Sequence, residues 1–140
     1  MSRTGVAVVA ELYAGLDRSD LSAVRGHIAI DCVLDQPGYL PWSGRYYGPD
    51  GFLAFFRTLS DYLETQGHTE TIFDGGDVVV RVGRTEGTVR ANGTPFRCRE
   101  VHLLTVRDSL IIGFRAHIEV PVMQAALTAL PRLPTPRPTR

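Results

Sequence analysis

Apolar residues recur every three or four positions in three segments of the first half of the chain. This spacing predicts a helix over residues 5–16, a short second helix that begins near Leu21, and a third over residues 50–64. Ser19 or Asp20 can cap the second helix, since both side chains accept hydrogen bonds from the free amides at a helix start. Each predicted helix has one apolar side that can face a core.

After these helices the pattern changes to alternation of apolar and polar residues, which is typical of strands. We predict four long strands, near residues 69–74, 77–90, 95–107 and 110–119. The sequences ANGT and RDS predict tight turns between the last three. A shorter strand, DCVLDQPG, precedes the third helix.

The segment YLPWSGRYYGPDG is rich in glycine, proline and aromatic residues and is predicted to be a loop. Helices followed by a run of antiparallel strands are typical of the α+β class. We therefore expect a cone-shaped curved antiparallel sheet of about five strands wrapped around three N-terminal helices. A cone of this kind is open at one end.

The strand in RCREVHLLTV, residues 97–106, has an unusual face. Period-two alternation places two titratable groups together with three apolar ones: Cys98, Glu100, His102, Leu104 and Val106. Because an unpaired buried carboxylate is unfavourable, this face is not ordinary core. We expect it to line a pocket inside the cone.

Composition narrows the class of protein. The 140 residues suit one domain, predicted over residues 1–130, with a disordered proline-rich tail at 131–140. The formal net charge is zero, so neither nucleic acid nor anionic membrane is an expected partner. No leader or membrane span is evident, and a cytoplasmic location is expected. The absence of lysine excludes Schiff-base chemistry on a lysine.

Two cysteines, Cys32 and Cys98, are too few for a disulfide scaffold and lack metal-binding spacing. We expect both to be buried thiols that act as small apolar groups. The four histidines also lack ligand spacing, so no metal and no cofactor are predicted.

Three segments resemble the nuclear transport factor 2-like superfamily: LYAGLDRSDLSAVRGHIAIDCVLDQPG, SGRYYGPDGFLAFFRTL and VHLLTVRDSLIIGFRAHIE. That superfamily includes ketosteroid isomerase, scytalone dehydratase, limonene epoxide hydrolase and the SnoaL-like polyketide cyclases. The resemblance extends from residue 6 to 127. It implies a cystatin-like α+β barrel, a small hydrophobic ligand in the cone and a homodimer formed through the outer sheet face.

The resemblance also assigns positions. Gln36 falls where ketosteroid isomerase has its carboxylate base, and His102 where it has a neutral aspartic acid. Tyr13 is one residue from the position of its catalytic tyrosine. Glu100 and His102 match a polar residue and a histidine that SnoaL-like cyclases pair on the penultimate strand. The final-strand acid of the cyclases and epoxide hydrolases falls on Ala116.

His102 is the strongest catalytic candidate, because an imidazole with a pKa of about 6.5 exchanges protons near neutrality and a nearby carboxylate would raise that pKa. Arg84-Thr85-Glu86 resembles an Arg-x-Asp pair of the epoxide hydrolases. If its strand pairs with the one that carries His102, Glu86 or Glu100 can be the partner of the histidine. Arg84 can then stabilise a developing enolate. Equally, Arg84 and Glu86 can form a surface ion pair.

Six further residues are predicted to contact the substrate. Gln36 is expected to donate a hydrogen bond to a substrate oxygen. The aromatic side chains of the loop before the third helix are expected to form a lid or wall over the mouth of the cone, or alternatively to pack the loop onto that helix. They are Trp42, Tyr46 and Tyr47. The full set is Gln36, Trp42, Tyr13, Tyr46, Phe114 and Cys98.

Two functions remain open at this point. The first is a cofactor-independent acid/base enzyme that isomerises, cyclises, dehydrates or opens an epoxide in a hydrophobic oxygenated metabolite, such as a polyketide intermediate of secondary metabolism. The second is a non-catalytic module that binds a small ligand or dimerises. Convergence of Glu100, His102 and Glu86 around an open cavity favours the first.

Overall fold

The computed structural model describes residues 4–130, so the predicted proline-rich tail lies outside the described residues. Four helices lie at α1 (Gly5–Asp17), α2 (Leu21–Gly26), α3 (Gly48–Tyr62) and α4 (Val120–Thr128). Capping fixes two of the starts: the Thr4 side chain accepts a hydrogen bond from the amide of Ala7, and Asp20 accepts one from Ala23. Asp20 is thus the cap of α2, one of the two residues predicted for it.

The strands form a six-stranded curved sheet. They are β1 (Ile28–Gln36), β2 (Gly44–Tyr47), β3 (Leu63–Asp74), β4 (Val79–Val89), β5 (Pro95–Arg107) and β6 (Leu110–Ile118). The spatial order is β2-β1-β6-β5-β4-β3, with β1 and β6 parallel and all other pairs antiparallel. The predicted α+β cone is confirmed.

Helices α1 and α3 fill the concave side of the sheet. Val8, Val9 and Leu12 of α1 are fully buried, and Phe52 of α3 meets Phe114 of β6 edge-on at 5.4 Å between ring centroids. Most of β3 is exposed, because it is the edge strand and α1 and α3 contact only one side of it. The cone is therefore packed at β1 and β6 and opens towards β3.

Three elements differ from the sequence-based expectation. The segment predicted as a loop contains β2, which pairs with β1, although four residues are too few to show alternation. Strand β3 begins at Leu63, six residues before the predicted start near 69, because α3 passes directly into it. Helix α4 was not predicted, since Pro121 precedes its short apolar run; proline is well suited to the first turn of a helix. No helix within residues 4–130 is long and apolar enough to cross a membrane.

The turn between β4 and β5 holds the end of α4. Asn92 Nδ2 donates to the carbonyl oxygens of Ala126 at 2.8 Å and Ala129 at 3.0 Å, and its Oδ1 accepts from the amide of Thr94 at 3.0 Å. Gly93 follows with φ of 69°, a conformation that glycine adopts without strain. The Asn-Gly pair therefore both turns the chain and satisfies the carbonyl groups that α4 leaves free.

We expect Asn92→Ala to lower the free energy of unfolding by about 1–2 kcal/mol, because the carbonyl groups at the end of α4 lose their donor. Urea unfolding of wild type and variant measures the change. Asn92→Asp is the companion variant: it keeps an oxygen for Thr94, but it replaces the donor to α4 with a negative charge and should destabilise at least as much. Wild-type stability in Asn92→Asp would show that the bonds to α4 contribute nothing.

Candidate active site

A cavity of about 1000 Å³ occupies the open part of the cone. It is bounded by α1, α3 and the concave faces of β3 to β6, with Met123 of α4 at its wall. The apolar part of the lining is aromatic-rich and includes Trp42, Phe55, Phe56 and Phe114. The polar part includes Tyr13, Gln36, Arg81, Thr85, Glu100 and His102. The cavity is large enough for a ligand of drug-like size.

The face of β5 that carries Glu100 and His102 lines this cavity. Alternation along the strand buries Cys98, Glu100, His102 and Leu104, while the residues between them are more exposed. Glu100 is 8% exposed and His102 is 9% exposed. The two titratable groups thus lie inside the cone as the sequence predicts, and both line the cavity.

An arginine that sequence reasoning missed neutralises Glu100. Arg81 of β4 is 2% exposed, and its Nη1 lies 2.5 Å from Glu100 Oε1. Thr85 Oγ1 donates to Glu100 Oε2 at 2.8 Å, and Arg81 Nε donates to Thr69 Oγ1 at 3.1 Å. The buried ion pair is therefore held by hydrogen bonds at both ends, as a buried charge requires.

Glycine opposite Glu100 makes room for this pair. Gly83 is the cross-strand neighbour of Glu100, and a Cβ there would lie 2.7 Å from Arg81 Cζ and 2.3 Å from the backbone oxygen of His68. Any larger residue would displace the guanidinium or the edge strand. Gly83 thus allows the arginine to lie along the sheet.

His102 joins this pair to helix α1. The Tyr13 hydroxyl oxygen lies 2.5 Å from His102 Nδ1, and His102 Nε2 lies 3.6 Å from Glu100 Oε2. Arg81 Cζ stands 4.5 Å above the centre of the Tyr13 ring, within cation–π range. Tyr13, His102, Glu100 and Arg81 therefore form a closed ring of contacts, which we call the buried tetrad.

Burial sets the protonation states in the tetrad. It lowers the pKa of His102 from 6.5 to about 4; the Glu100 charge opposes this shift, and Arg81 and His117 add to it. Burial also raises the pKa of Tyr13 above its usual value of 10.0, against the effect of Arg81 and with that of Glu100. The Glu100 carboxylate does raise the His102 pKa as expected, but burial lowers it by more, so the net shift is downward.

Arg84 and Glu86 are not part of the tetrad. They lie on the opposite face of β4, where Glu86 Oε1 is 2.7 Å from Arg84 Nε and 3.1 Å from Arg97 Nε. The hydrogen bond from Arg84 lowers the pKa of Glu86. The predicted clamp by Arg84 and partnership of Glu86 with His102 are contradicted by this placement, and the alternative of a surface ion pair describes it.

The sequence did contain a signal for Arg81. Cross-strand neighbours share a face, and a turn with an even number of loop residues pairs even positions of β5 with odd positions of β4. The observed register pairs His102 with Arg81 and Glu100 with Gly83. A loop of even length between β4 and β5 thus predicts that Arg81 shares the face of Glu100 and His102, and that Arg84 and Glu86 lie on the other face.

Gln36 is buried at the cavity wall, at 2% exposure. Its Nε2 donates to the Pro37 carbonyl oxygen at 3.1 Å. A carbonyl can only accept, so the amide nitrogen must point to Pro37. The amide nitrogen carries two hydrogens, so the bond to Pro37 leaves one for the predicted donation to a substrate oxygen.

Trp42 and Tyr46, the two loop residues predicted to contact substrate, have different positions: Trp42 lines the cavity and Tyr46 packs behind it. Trp42 is 1% exposed and lines the cavity. The Tyr46 hydroxyl donates to the Trp42 carbonyl oxygen at 3.0 Å, and its ring meets Phe55 edge-on at 5.2 Å. Tyr46 lies outside the cavity lining, so it packs the loop onto α3, and the prediction that it contacts substrate is not supported by its position.

The remaining predicted contacts line the cavity. Phe114 lies beside His102, with ring centroids 4.8 Å apart, and Ala116 is the cross-strand neighbour of His102. Cys98 is also at the wall, and burial raises the pKa of Cys32 and of Cys98 to about 11. Both are buried free thiols as predicted, and neither is a thiolate near neutral pH. No cluster of three potential metal-ligating side chains occurs in residues 4–130.

Known proteins that are similar in sequence or structure share the fold described above. The SnoaL-like domain family matches residues 9–114. A nuclear transport factor 2-like protein from Burkholderia thailandensis is 29% identical, with a TM-score of 0.85 over 91% of this chain and 99% of its own. IdmH from Streptomyces antibioticus, a proposed polyketide cyclase, is 23% identical, with a TM-score of 0.73 over 91% of this chain and all of its own (100%).

The fold is also shared with TerC, which was crystallised with polyporic acid. TerC is 19% identical, with a TM-score of 0.79 over 89% of this chain and 98% of its own. No protein of curated function matches the sequence.

Proposed function

Since the chain belongs to the SnoaL-like domain family, we propose that it is a cofactor-independent enzyme that transfers protons on a hydrophobic, oxygenated metabolite. A polyketide intermediate is the substrate class that we favour, because a proposed polyketide cyclase shares the fold. Isomerisation, cyclisation and dehydration all begin with movement of a proton and fall within this proposal.

The buried tetrad is the observation that carries the proposal. Arg81 and Glu100 are almost completely removed from water at the wall of a partly aromatic cavity. A buried ion pair stabilises a fold no better, on average, than well-packed apolar residues. Burial and nearby charges shift the pKa of His102 and of Tyr13, and titratable groups of this kind that line a cleft are typical of active sites.

The tetrad contains the groups that acid/base catalysis needs. Glu100 provides a carboxylate that can accept a proton, and the hydroxyl of Tyr13, the ring of His102 and the guanidinium of Arg81 provide polar hydrogens. Aromatic walls on the other side suit a flat apolar ligand. Burial strengthens each electrostatic interaction, because little water screens it.

Hydrogen–deuterium exchange into candidate substrates tests the proposal without knowledge of the final product. A panel of aromatic and 1,3-dicarbonyl compounds is incubated with the protein in D2O, and deuterium incorporation is followed by mass spectrometry. We expect the wild type to accelerate exchange in at least one compound, and Glu100→Gln to slow it by about 100-fold, the lower end of the contribution of a general base.

Glu86→Gln is the matched control, because it makes the same chemical change on the opposite face of the sheet. Its exchange rate should equal that of the wild type. Equal losses in the two variants, or no acceleration of any compound that binds, would contradict the proposal.

The binding-module alternative is supported by one observation. Gln36 and Ala116 stand where relatives of this fold have catalytic acids, and Ala116 offers no polar atom beside His102. Tight binding of panel compounds without any exchange is the result expected for a module that only holds its ligand. Glu100→Gln would then change the dissociation constant and not a rate.

A further inference from the structure

We propose that His102 acts as a neutral hydrogen-bond donor through Nε2–H, that Glu100 is the base that takes the substrate's proton, and that Tyr13 is the positioning residue that selects this tautomer. The inference rests on the proposed function and deepens it, since it divides the roles within the tetrad. It also restricts the class of reaction.

The phenol proton of Tyr13 fixes the state of Nδ1. Among the described residues, the Tyr13 hydroxyl has one hydrogen-bond partner, His102 Nδ1 at 2.5 Å. Tyr13 is 7% exposed, so its proton has no ready alternative in water, and burial keeps the phenol protonated. Nδ1 must therefore accept, and a neutral imidazole then carries its proton on Nε2.

The surroundings of Nε2 favour the same tautomer, although less strongly than the hydrogen bond from Tyr13, because the contact to Glu100 is longer than a hydrogen bond. Nε2 faces Glu100 Oε2 at 3.6 Å, and Glu100 accepts hydrogen bonds from Arg81 and Thr85, as an ionised carboxylate does. An N–H directed at this carboxylate is attracted, whereas a lone pair would be repelled. Burial, together with the Arg81 charge, disfavours a second proton on the ring and outweighs the Glu100 charge, which favours it.

The spacing in the tetrad suits abstraction of a proton next to a carbonyl group. The Nε2 to Glu100 Oε2 distance of 3.6 Å is longer than a hydrogen bond, so Nε2–H can turn to a substrate carbonyl oxygen that binds between them. Glu100 Oε2 then takes the proton from the carbon next to that carbonyl. The C–H electron pair becomes the new C=C bond, and the carbonyl π pair moves to the oxygen to form an enolate. Glu100 returns its proton to another carbon in an isomerisation, or to a departing hydroxyl in a dehydration.

Arg81 remains paired with an anion throughout this step. As the proton moves, the negative charge leaves Glu100 and appears on the enolate oxygen nearby, so the charge balance around the guanidinium is retained. The substrate class is therefore a carbonyl compound with an acidic C–H beside the carbonyl. Epoxide opening needs an acid that transfers a proton to the epoxide oxygen, and neutral His102, which donates a hydrogen bond and keeps its proton, does not supply one.

Two-bond 1H–15N correlation spectra of the histidine rings test the tautomer in the resting protein without any substrate. His102→Gln identifies the His102 signals by their loss. We expect the neutral Nε2–H pattern at pH 7 in the wild type. An Nδ1–H pattern or an imidazolium pattern at pH 7 overturns the assignment, even if the exchange assay shows that the protein is an enzyme.

Tyr13→Phe tests the positioning role, because it keeps the ring beneath Arg81 and removes only the hydroxyl. We expect the His102 signals to lose the pure Nε2–H pattern, and kcat for exchange to fall about tenfold with KM changed by less than about twofold. Tyr47→Phe is the matched control, at a side chain that is 64% exposed, and should leave the spectrum unchanged.

An unaltered His102 spectrum in folded Tyr13→Phe overturns the role of Tyr13. If that variant does not fold, the wild-type spectrum alone still decides the tautomer. Failure of the exchange assay with an Nε2–H pattern present would contradict the proposed enzyme and leave the tautomer assignment standing, so the two failures are distinguishable.

Discussion

Arg81→Met is expected to lower the free energy of unfolding by about 3–5 kcal/mol at pH 7, because it leaves the Glu100 carboxylate buried and unpaired. Methionine keeps most of the volume and the unbranched shape of the arginine side chain, so a cavity contributes little. Urea unfolding, followed by the fluorescence of Trp42, measures the change. Trp42 is the only tryptophan in the sequence and is 1% exposed in the fold.

Two further variants make this result specific. Arg84→Met makes the same substitution in an ion pair that is 28% and 37% exposed, and it should cost less than about 1 kcal/mol. Arg81→Met combined with Glu100→Leu removes both charges and should recover most of the loss. Equal losses for the two arginine variants would show that Arg81 does not compensate a buried charge.

The recovery would carry a functional meaning. If the apolar pair is as stable as the ion pair, then Arg81 and Glu100 are not required by the fold. Their presence in the cavity would then be explained by chemistry and not by stability. Loss of exchange activity in a stable double variant would be the direct support for that explanation.

Local patterns were sufficient for most of the fold. The apolar side of α1 and the alternating face of β5 are each defined by a period that a run of residues repeats several times. Glu100 and His102 could be placed inside the cone for the same reason, because their face also carries Cys98 and Leu104. Short elements such as β2 and α4 were not predicted, since they contain too few repeats to show a period.

The missed part of the site depended on pairing between segments. Strand β4 carries apolar residues on both faces at its start, so alternation alone does not tell which face holds Arg81. Tyr13 and His102 are 89 residues apart in the sequence, and their contact arises only when α1 packs into the cone. The resemblance to ketosteroid isomerase indicated Tyr13 and His102 separately, but not their contact.

Stability is expected to depend on pH through His102. The pKa of His102 is about 4 in the fold, against 6.5 for an ordinary histidine, so the unfolded chain takes up the proton first as the pH falls. The contribution of neutral His102 is complete above pH 6.5 and is lost progressively as the pH falls to about 4. The total is about 3 kcal/mol, at 1.36 kcal/mol for each unit of pKa difference.

Urea unfolding of the wild type and of His102→Gln between pH 4 and pH 7 measures this contribution, because the difference between the two curves removes the effect of other groups. Glutamine keeps a polar side chain in the tetrad but does not titrate. We expect the free energy of unfolding of the wild type, minus that of His102→Gln, to fall by about 3 kcal/mol between pH 7 and pH 4, since only the wild type has a histidine at this position that must be protonated against burial. Parallel curves for wild type and His102→Gln would show that the fold does not lower the His102 pKa.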